Sequence, residues 1–176
     1  MASSQAAAAA DTVSKEFVIE RVFDAPRDLV WKAWTEKDRL MQWWGPKGFK
    51  MVNARLDLKP GGSFHYCMHA PDGSEMWGRW TFREIVMPER LVFINAFSDK
   101  DGGLTRHPMA PTWPIEMLGT MTLVDQGSKT LLVNRMVALN PTDEERATFE
   151  GGFDSMKQGF GGTWDRLAAY LASARA

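Results

Sequence analysis

Three side chains that can bind a metal ion alternate along one short segment of the chain: His65, Cys67 and His69. If the segment is a β-strand, residues two apart point to the same side, so all three would share one face. A tetrahedral protein site usually takes a further ligand, and the remaining histidine, His107, lies in a distant segment. Cys67 is the only cysteine, and no positioned base that would make it a nucleophile is identifiable. We therefore interpret this face as solvated and predict no metal site.

His107 and Glu116 are the side chains best suited to proton transfer, should the protein be an enzyme. Histidine titrates near neutral pH, and His107 lies in residues 99–113, a segment rich in glycine and proline. That segment is long enough to form a lid or a portal rather than a plain turn. The sequence contains no nucleophile motif, paired catalytic carboxylates, phosphate-binding glycine loop or dinucleotide fingerprint. We predict no cofactor and treat catalysis as the alternative to a binding function.

The composition indicates a large apolar interior. Eight Trp, ten Phe and eleven Met accompany only two Tyr, and methionine fills irregular spaces well. Such an interior is either a packed core or the lining of a cavity. Two polar residues, Asn95 and Asn134, share predicted strand faces with apolar neighbours and would be buried with them. A buried amide must bond to protein or water, or contact a bound molecule, so these asparagines are candidates for polar ligand contacts.

Segments with strand-like alternation follow each other along most of the chain, separated by turns rich in glycine and proline. The predicted strands span residues 15–23, 49–58, 63–69, 75–86, 90–98, 115–125 and 130–139. Residues 26–34 and 35–42 are predicted as short helices, and residues 142–173 as a long one. Consecutive strands joined by short turns form an antiparallel sheet with helices on one face, so the predicted fold class is α+β.

The long C-terminal helix combines a strong apolar stripe with many glycines. Its apolar residues recur at spacings of three or four from Phe149 to Leu171, and Thr142 with Glu145 predicts a capping box at its start. Off the stripe lie Gly151, Gly152, Gly159, Gly161 and Gly162. Each costs about 1 kcal/mol relative to alanine in a helix interior, so the helix needs a large covering surface. The glycines would serve either close backbone packing or a loosening that admits a ligand.

Several motifs resemble those of a known superfamily. They are FDAPRDLVWKAW from residue 23, WWGP from residue 43, REIVMPERLVF from residue 83 and QGFGGTWDRL from residue 158. The chain resembles the SRPBCC (START-like) superfamily, and within it the branch related to the C-terminal domain of the heat-shock-protein-90 ATPase activator. The resemblance implies a helix-grip fold, in which a curved antiparallel sheet wraps around the C-terminal helix and encloses an apolar cavity. Relatives bind lipids, polyketides and other hydrophobic molecules, a few are cyclases or hydrolases, and one branch assists a chaperone.

On this basis we predict binding of a hydrophobic small molecule or lipid-like ligand between the sheet and the C-terminal helix. An enzyme of the cyclase or hydrolase type is the alternative, and a chaperone-activating role is a third possibility. Strand alternation and the helix stripe select the predicted cavity residues. They are Phe64, Tyr66, Trp80, Phe82, Phe93, Asn95, Met117, Met121, Asn134, Phe153, Met156, Phe160 and Trp164.

Chain length, net charge and cysteine content limit the possible partners, location and domain organisation. With 176 residues and a net charge of −1, the chain carries no imbalance that would indicate a nucleic-acid partner. No apolar segment approaches the roughly 20 residues that span a bilayer, so we expect no membrane insertion. A single cysteine excludes an intrachain disulfide and fits a cytoplasmic location. We expect one domain over residues 15–176, preceded by a disordered tail at residues 1–14, in a monomer or homodimer.

Overall fold

The computed structural model describes residues 12–175 and has the predicted α+β architecture. Its strands are β1 Phe17–Phe23, β2 Lys50–Leu56, β3 Ser63–His69, β4 Glu75–Val86, β5 Arg90–Phe97, β6 Met117–Gln126 and β7 Lys129–Ala138. Its helices are α1 Arg27–Thr35, α2 Lys37–Trp43, α3 Asp143–Gly151 and α4 Phe153–Arg175. The strands and the two short helices match their predicted ends to within two residues, whereas the predicted long helix is divided at Gly152.

The seven strands form one antiparallel sheet in the order β1-β7-β6-β5-β4-β3-β2. The strands from β2 to β7 pair in sequence order, and β1 pairs with β7, which places Phe17 opposite Met136. The register shifts between Phe82 and Glu84 in β4, and a second shift occurs in β2. Such bulges bend a strand and increase its twist, so they curve the sheet. Helices α1 and α2 connect the two edge strands and pack against α4.

Aromatic rings fill the centre of the space between the sheet and the helices. In β3, Phe64 and Tyr66 are buried on the inner face, as the alternation predicts. The fully buried Trp80 of β4 has its ring centroid 4.9 Å from that of Phe64 and 4.8 Å from that of Trp44. The ring of Phe93 stacks on Trp80 at 4.5 Å. Rings at these separations attract each other beyond the gain from their burial, so this cluster is a rigid part of the core.

The outer face of β3 differs from the prediction at one position. His65 and His69 are partly exposed, but Cys67 between them is only 1% exposed. Cys67 lies opposite Trp77 of β4, whose ring stacks on that of His65 with 5.1 Å between centroids. The bulky indole beside the thiol accounts for this burial. The interpretation of the whole face as solvated is therefore wrong for Cys67.

The start of α3 realises half of the predicted capping box. The backbone N–H of Glu145 donates to Oγ1 of Thr142 at 3.1 Å, which satisfies one of the open amides of the first turn. The Glu145 carboxylate does not reach back to the cap. It is buried and lies 3.6 Å from Nη2 of Arg106, in the long loop between β5 and β6. The ion pair with the loop has replaced the second half of the box.

The second half of α4 is fixed to the turn that follows α2. Arg166 donates from Nη1 to the backbone oxygens of Gly45, at 2.9 Å, and Pro46, at 3.0 Å. The Thr163 hydroxyl lies 3.2 Å from the Gly159 oxygen of its own helix and 3.3 Å from the Gly45 oxygen, and its single proton is shared between these two acceptors. Trp164 is fully buried, as are Leu167 and Leu171 further along the same stripe. This end of the helix is therefore held by both polar and apolar contacts.

The first residues of the structure run alongside the end of β7. Of the predicted tail, residues 1–11 lie outside the described part of the chain. The last three residues of that tail make defined contacts: the N–H of Thr12 donates to Oδ1 of Asn140 at 3.0 Å, and the N–H of Ser14 donates to the Ala138 oxygen at 3.2 Å. Val13 forms a bridge with Leu139.

Candidate ligand-binding cavity

A cavity of about 520 Å³ lies between the inner face of the sheet and the first half of α4. Four neighbouring strands contribute to its wall: β3, β4, β5 and β6. Their lining side chains include Tyr66, Met68, Met76, Asn95, Phe97 and Met117. The volume falls within the range of roughly 300–1,000 Å³ that is usual for small-molecule sites.

The first half of α4 forms the opposite wall. Met156 and Phe160 line the cavity and are only half-buried, in contrast to the fully buried end of the same stripe. Gly159 also lines it and is exposed, which places it where the cavity opens to solvent. The apolar stripe of α4 thus changes from a cavity wall to a packed core between Phe160 and Trp164.

The long loop between β5 and β6 closes a third side through His107, Ala110 and Trp113. Besides the ion pair between Arg106 and Glu145, two contacts attach the loop to α3. The ring of Trp113 lies 5.7 Å from that of Phe149, and the hydroxyls of Thr112 and Thr148 are 2.8 Å apart. The segment predicted to be a lid or portal therefore covers one side of the cavity and is attached to α3.

His107 is held as a neutral ring with one defined tautomer. Its Nδ1 accepts a hydrogen bond from the N–H of Met109 at 3.0 Å, so the ring proton is assigned to Nε2. The ring meets that of Phe97 edge-on, with 4.7 Å between centroids. Burial lowers the pKa of His107 below its ordinary value, which favours the neutral form. With its only lone pair occupied, His107 offers the cavity an N–H donor rather than a base.

Three further polar side chains face the interior in different ways. Among residues 12–175, no group hydrogen-bonds the side chain of Asn95, which lines the cavity. Asn134 is 3% exposed and lies outside the cavity lining; its Oδ1 has no partner within the described chain. The Tyr66 hydroxyl is fully enclosed, and this burial raises the pKa of Tyr66 to about 12, so the phenol stays protonated.

The lining of the cavity is uncharged. Within the described part of the chain, none of the lining residues is Asp, Glu, Lys or Arg. The polar side-chain groups of its lining residues are hydroxyls, one amide, indole N–H groups and the His107 imidazole, set among methionine and aromatic side chains. Such a wall suits an apolar molecule with a small polar group and provides no counter-ion for a charged one.

The structure brings together only part of the predicted site. Five of the predicted cavity residues line the cavity: Tyr66, Asn95, Met117, Met156 and Phe160. The remainder lie elsewhere in the interior: Phe64, Trp80, Phe82, Phe93, Met121, Asn134, Phe153 and Trp164. Half of this second group pack around Trp80, because the rings of Phe64, Phe82 and Phe93 fill the part of the interior next to β4 and β5. Of the two catalytic candidates, His107 lines the cavity and Glu116 does not.

Several lining residues lie outside the predicted set. Phe97 lies two residues beyond Asn95 on the same strand face, and Met76 continues the inner face of β4, so strand alternation could have selected both. Trp44 and Thr148 come from segments whose approach depends on the packing of helices. No local signal in the sequence identifies lining residues such as Trp44 and Thr148, because their positions depend on how the helices pack.

A curved antiparallel sheet around a C-terminal helix, with an apolar cavity between them, defines a helix-grip protein. The chain belongs to the family described as Activator of Hsp90 ATPase homolog 1-like protein, whose sequence model matches residues 24–172. This confirms the predicted relationship. No curated protein matches the chain significantly. Among the described residues, no helix is long and apolar enough to cross a membrane.

Solved structures similar to this chain come from several bacteria. A crystal structure of a Nitrosomonas europaea protein has 26% identity and a TM-score of 0.70, covering 91% of this chain and 96% of that one. A solution structure of an Arthrobacter aurescens protein has 24% identity and a TM-score of 0.73, covering 92% and 91%. A crystal structure from Silicibacter pomeroyi, whose protein is named as a member of the same family, has 20% identity and a TM-score of 0.68, covering 91% and 99%.

Proposed function

We propose that this protein binds a neutral, largely apolar small molecule in the cavity between the sheet and α4. The observation that carries the proposal is the lining: about 520 Å³ of space bounded by methionine and aromatic side chains and by no ionised group of the described chain. Apolar surface that leaves water on binding supplies the affinity, at roughly 25 cal/mol per Å² before the costs of association.

The polar end of the ligand would lie near β5. Asn95 and Phe97 point to the same side of the strand, and the His107 ring rests against Phe97. The Asn95 amide offers a donor and an acceptor, and His107 offers an N–H donor. A carbonyl or ester oxygen would satisfy these donors. A carboxylate would enter without a counter-ion, and burial of an unpaired charge costs several kcal/mol.

A matched ligand pair tests this preference. Nile red, a neutral dye, serves as the fluorescent probe, and decanoic acid and its methyl ester compete for the cavity at pH 7. We expect the ester to displace the dye at a concentration at least about tenfold lower, since 1.4 kcal/mol corresponds to a factor of ten. Equal displacement by both compounds, or none by either, would refute the proposal.

Two variants locate the binding site. An added Cβ atom meets no atom within 4 Å at either Gly159 or Gly161, but only Gly159 lines the cavity. Gly159→Phe should abolish dye binding, whereas Gly161→Phe, two residues away in the same helix, should retain it. Native mass spectrometry of the protein after exposure to a metabolite extract would then identify a retained ligand in the parent and its loss in Gly159→Phe.

The family relationship supports a second candidate, association with a heat-shock ATPase. Affinity purification with the immobilised full chain tests it directly, and stimulation of ATP hydrolysis by the captured ATPase would establish the role. If no heat-shock ATPase is retained, the candidate is eliminated.

Catalysis in the cavity has one supporting observation, the position of His107 in the lining. Unchanged turnover of His107→Ala in an esterase and cyclase screen would remove this candidate.

A further inference from the structure

Three potential metal ligands converge on the outer face of the β3–β4 hairpin, away from the cavity. Cys67 and His69 are two residues apart on the same side of β3, and Glu75 of β4 lies directly opposite His69. Nε2 of His69 is 3.7 Å from Oε1 of Glu75. The ligand atoms of all three residues lie within 4.8 Å of one another.

We propose that Cys67, His69 and Glu75 form a Zn²⁺ site with an open coordination position for water. Alternation along β3 places His65 beside Cys67 and His69, but in the structure the third group near Cys67 and His69 is Glu75 of the neighbouring strand. The proposal therefore differs from the prediction of no metal site. His65 instead donates from Nε2 to the Asp99 backbone oxygen, 3.1 Å away. Thiolate, imidazole and carboxylate are the donor types that zinc takes in proteins.

The geometry needs only small adjustments to bind the ion. With bonds of about 2.0–2.3 Å, ligand atoms of a tetrahedral zinc site are separated by about 3.3–3.8 Å. The His69–Glu75 separation of 3.7 Å already meets this value. An atom pair at the full 4.8 Å would have to approach by about 1.0–1.5 Å to reach this separation from the Cys67 sulfur. His69 and Glu75 have side chains 42% and 59% exposed, so they can move by this amount without disturbing the core.

A hydrogen bond from Trp77 orients the Glu75 carboxylate and leaves its other oxygen free to bind a metal ion. The indole N–H of Trp77 donates to Oε2 of Glu75 at 3.2 Å, while Oε1 faces His69. A hydrogen bond from outside the ligand set fixes a carboxylate in this way in many metal sites. The turn between the strands is also closed, because the Ala70 N–H donates to the Ser74 oxygen at 2.9 Å. The positions of His69 and Glu75 relative to each other are therefore set by the hairpin.

The charges around the thiol favour a divalent cation. The Glu75 carboxylate lies close to the thiol and would partly neutralise a bound cation. Zinc stabilises the thiolate, and the thiol proton passes to solvent as the zinc–sulfur bond forms. One unfavourable charge is close by, because Lys50 of β2 lies opposite His69 on the same side of the sheet. Affinity should therefore rise with pH and rise again when Lys50 is replaced by alanine.

Cobalt titration of the full-length, metal-stripped chain provides the test. Co²⁺ occupies tetrahedral zinc sites and gives a thiolate-to-cobalt charge-transfer band in the near ultraviolet. Because Cys67 is the only cysteine, any such band reports this site alone. We expect one Co²⁺ per chain, displacement by Zn²⁺, release of one thiol proton per ion, and protection of the thiol from a disulfide reagent.

Four variants decide between a built site and nonspecific metal binding. His69→Gln and Glu75→Gln, both at partly exposed positions, should remove the band while leaving the thermal transition of the metal-free chain in place. Trp77→Phe should weaken Co²⁺ binding by about 10- to 100-fold through loss of the hydrogen bond to Glu75. His65→Gln, on the same strand face, is the matched control and should bind as the parent does. No charge-transfer band in the parent, or a band that survives in both His69→Gln and Glu75→Gln, would overturn the proposal.

Discussion

Replacement of Gly159 or Gly161 by alanine should stabilise the fold, although both glycines lie in the helix that forms the wall of the cavity. A Cβ atom added at either position meets no atom within 4 Å beyond the local helix, so alanine introduces no clash. Alanine is more favourable than glycine in a helix interior by about 1 kcal/mol. We therefore expect the free energy of unfolding to rise by about 1 kcal/mol for each substitution and about 2 kcal/mol for the double variant.

Urea denaturation followed by tryptophan fluorescence measures this gain, and thermal unfolding provides a second estimate. For a chain of this size, 1 kcal/mol corresponds to an increase in the melting temperature of about 2–4 °C. Gly78→Ala is the control for a glycine that packing requires. A Cβ atom there would lie within 2.4 Å of the Tyr66 hydroxyl oxygen, so this variant should lose stability.

The outcome discriminates between the two explanations for the glycines. Close packing accounts for Gly152, where an added Cβ would lie 3.2 Å from the Thr148 oxygen, but not for Gly159 or Gly161. If these two glycines loosen the first half of α4, the alanine variants should slow amide exchange over residues 153–162 and leave residues 164–171 unchanged. Unchanged or reduced stability in both alanine variants would show that the propensity argument is wrong.

Three further predictions concern the polar contacts around the cavity and the helices. Arg166→Met should lower the free energy of unfolding by about 2 kcal/mol, because it removes charged hydrogen bonds to two backbone oxygens of the turn after α2; Arg166→Lys in the same urea experiment should recover part of the loss. Thr142→Ala should cost about 1 kcal/mol through loss of the cap to the Glu145 N–H, and Thr142→Ser should restore it. Burial depresses the pKa of His107 in the folded protein, so the unfolded chain takes up this proton first as the pH falls. The stability that the neutral His107 contributes is fully present above the ordinary pKa of histidine. It is lost as the pH falls from that pKa toward the lower pKa of His107 in the folded protein. Urea unfolding at pH 7 and pH 5 should accordingly show a smaller decrease for His107→Gln than for the parent; an equal decrease in both proteins would contradict the assignment.

The order of elements was predictable from the sequence because each depends on local information. Alternation of apolar residues located every strand, and turns such as Lys59-Pro60-Gly61-Gly62 located their ends. The division of the C-terminal helix at Gly152 was not predictable in the same way. The apolar stripe runs through the break without interruption, and five glycines offered several places for it. The position is set by tertiary contacts, since Trp113 of the loop lies against this point of the chain.

The lining of the cavity was only partly predictable, for a related physical reason. Periodicity identifies which side of a strand faces inward but not whether the space there is filled. Trp80 and Tyr66 are both buried on the inner side of the sheet, yet Tyr66 lines the cavity and Trp80 belongs to the packed cluster. The difference arises because Trp44, brought in by the turn after α2, fills the space beside Trp80. The metal-binding group on the outer face illustrates the same limit, since Glu75 joins Cys67 and His69 only through the pairing of two strands.

The first half of α4 forms most of the helical wall of the cavity, and the second half is the best-fastened part of the helix. If the cavity binds a ligand as proposed, this arrangement reconciles stability with ligand entry. Arg166 fixes the second half to the Gly45 backbone, and Trp164 begins the buried stripe. Those contacts hold the helix on the sheet whether or not the cavity is filled. The first half makes fewer buried contacts, contains most of the glycines and forms one wall of the opening. Local opening has the lowest cost where buried contacts are few, so the proposed ligand would enter past Gly159 without disturbance of the aromatic cluster around Trp80.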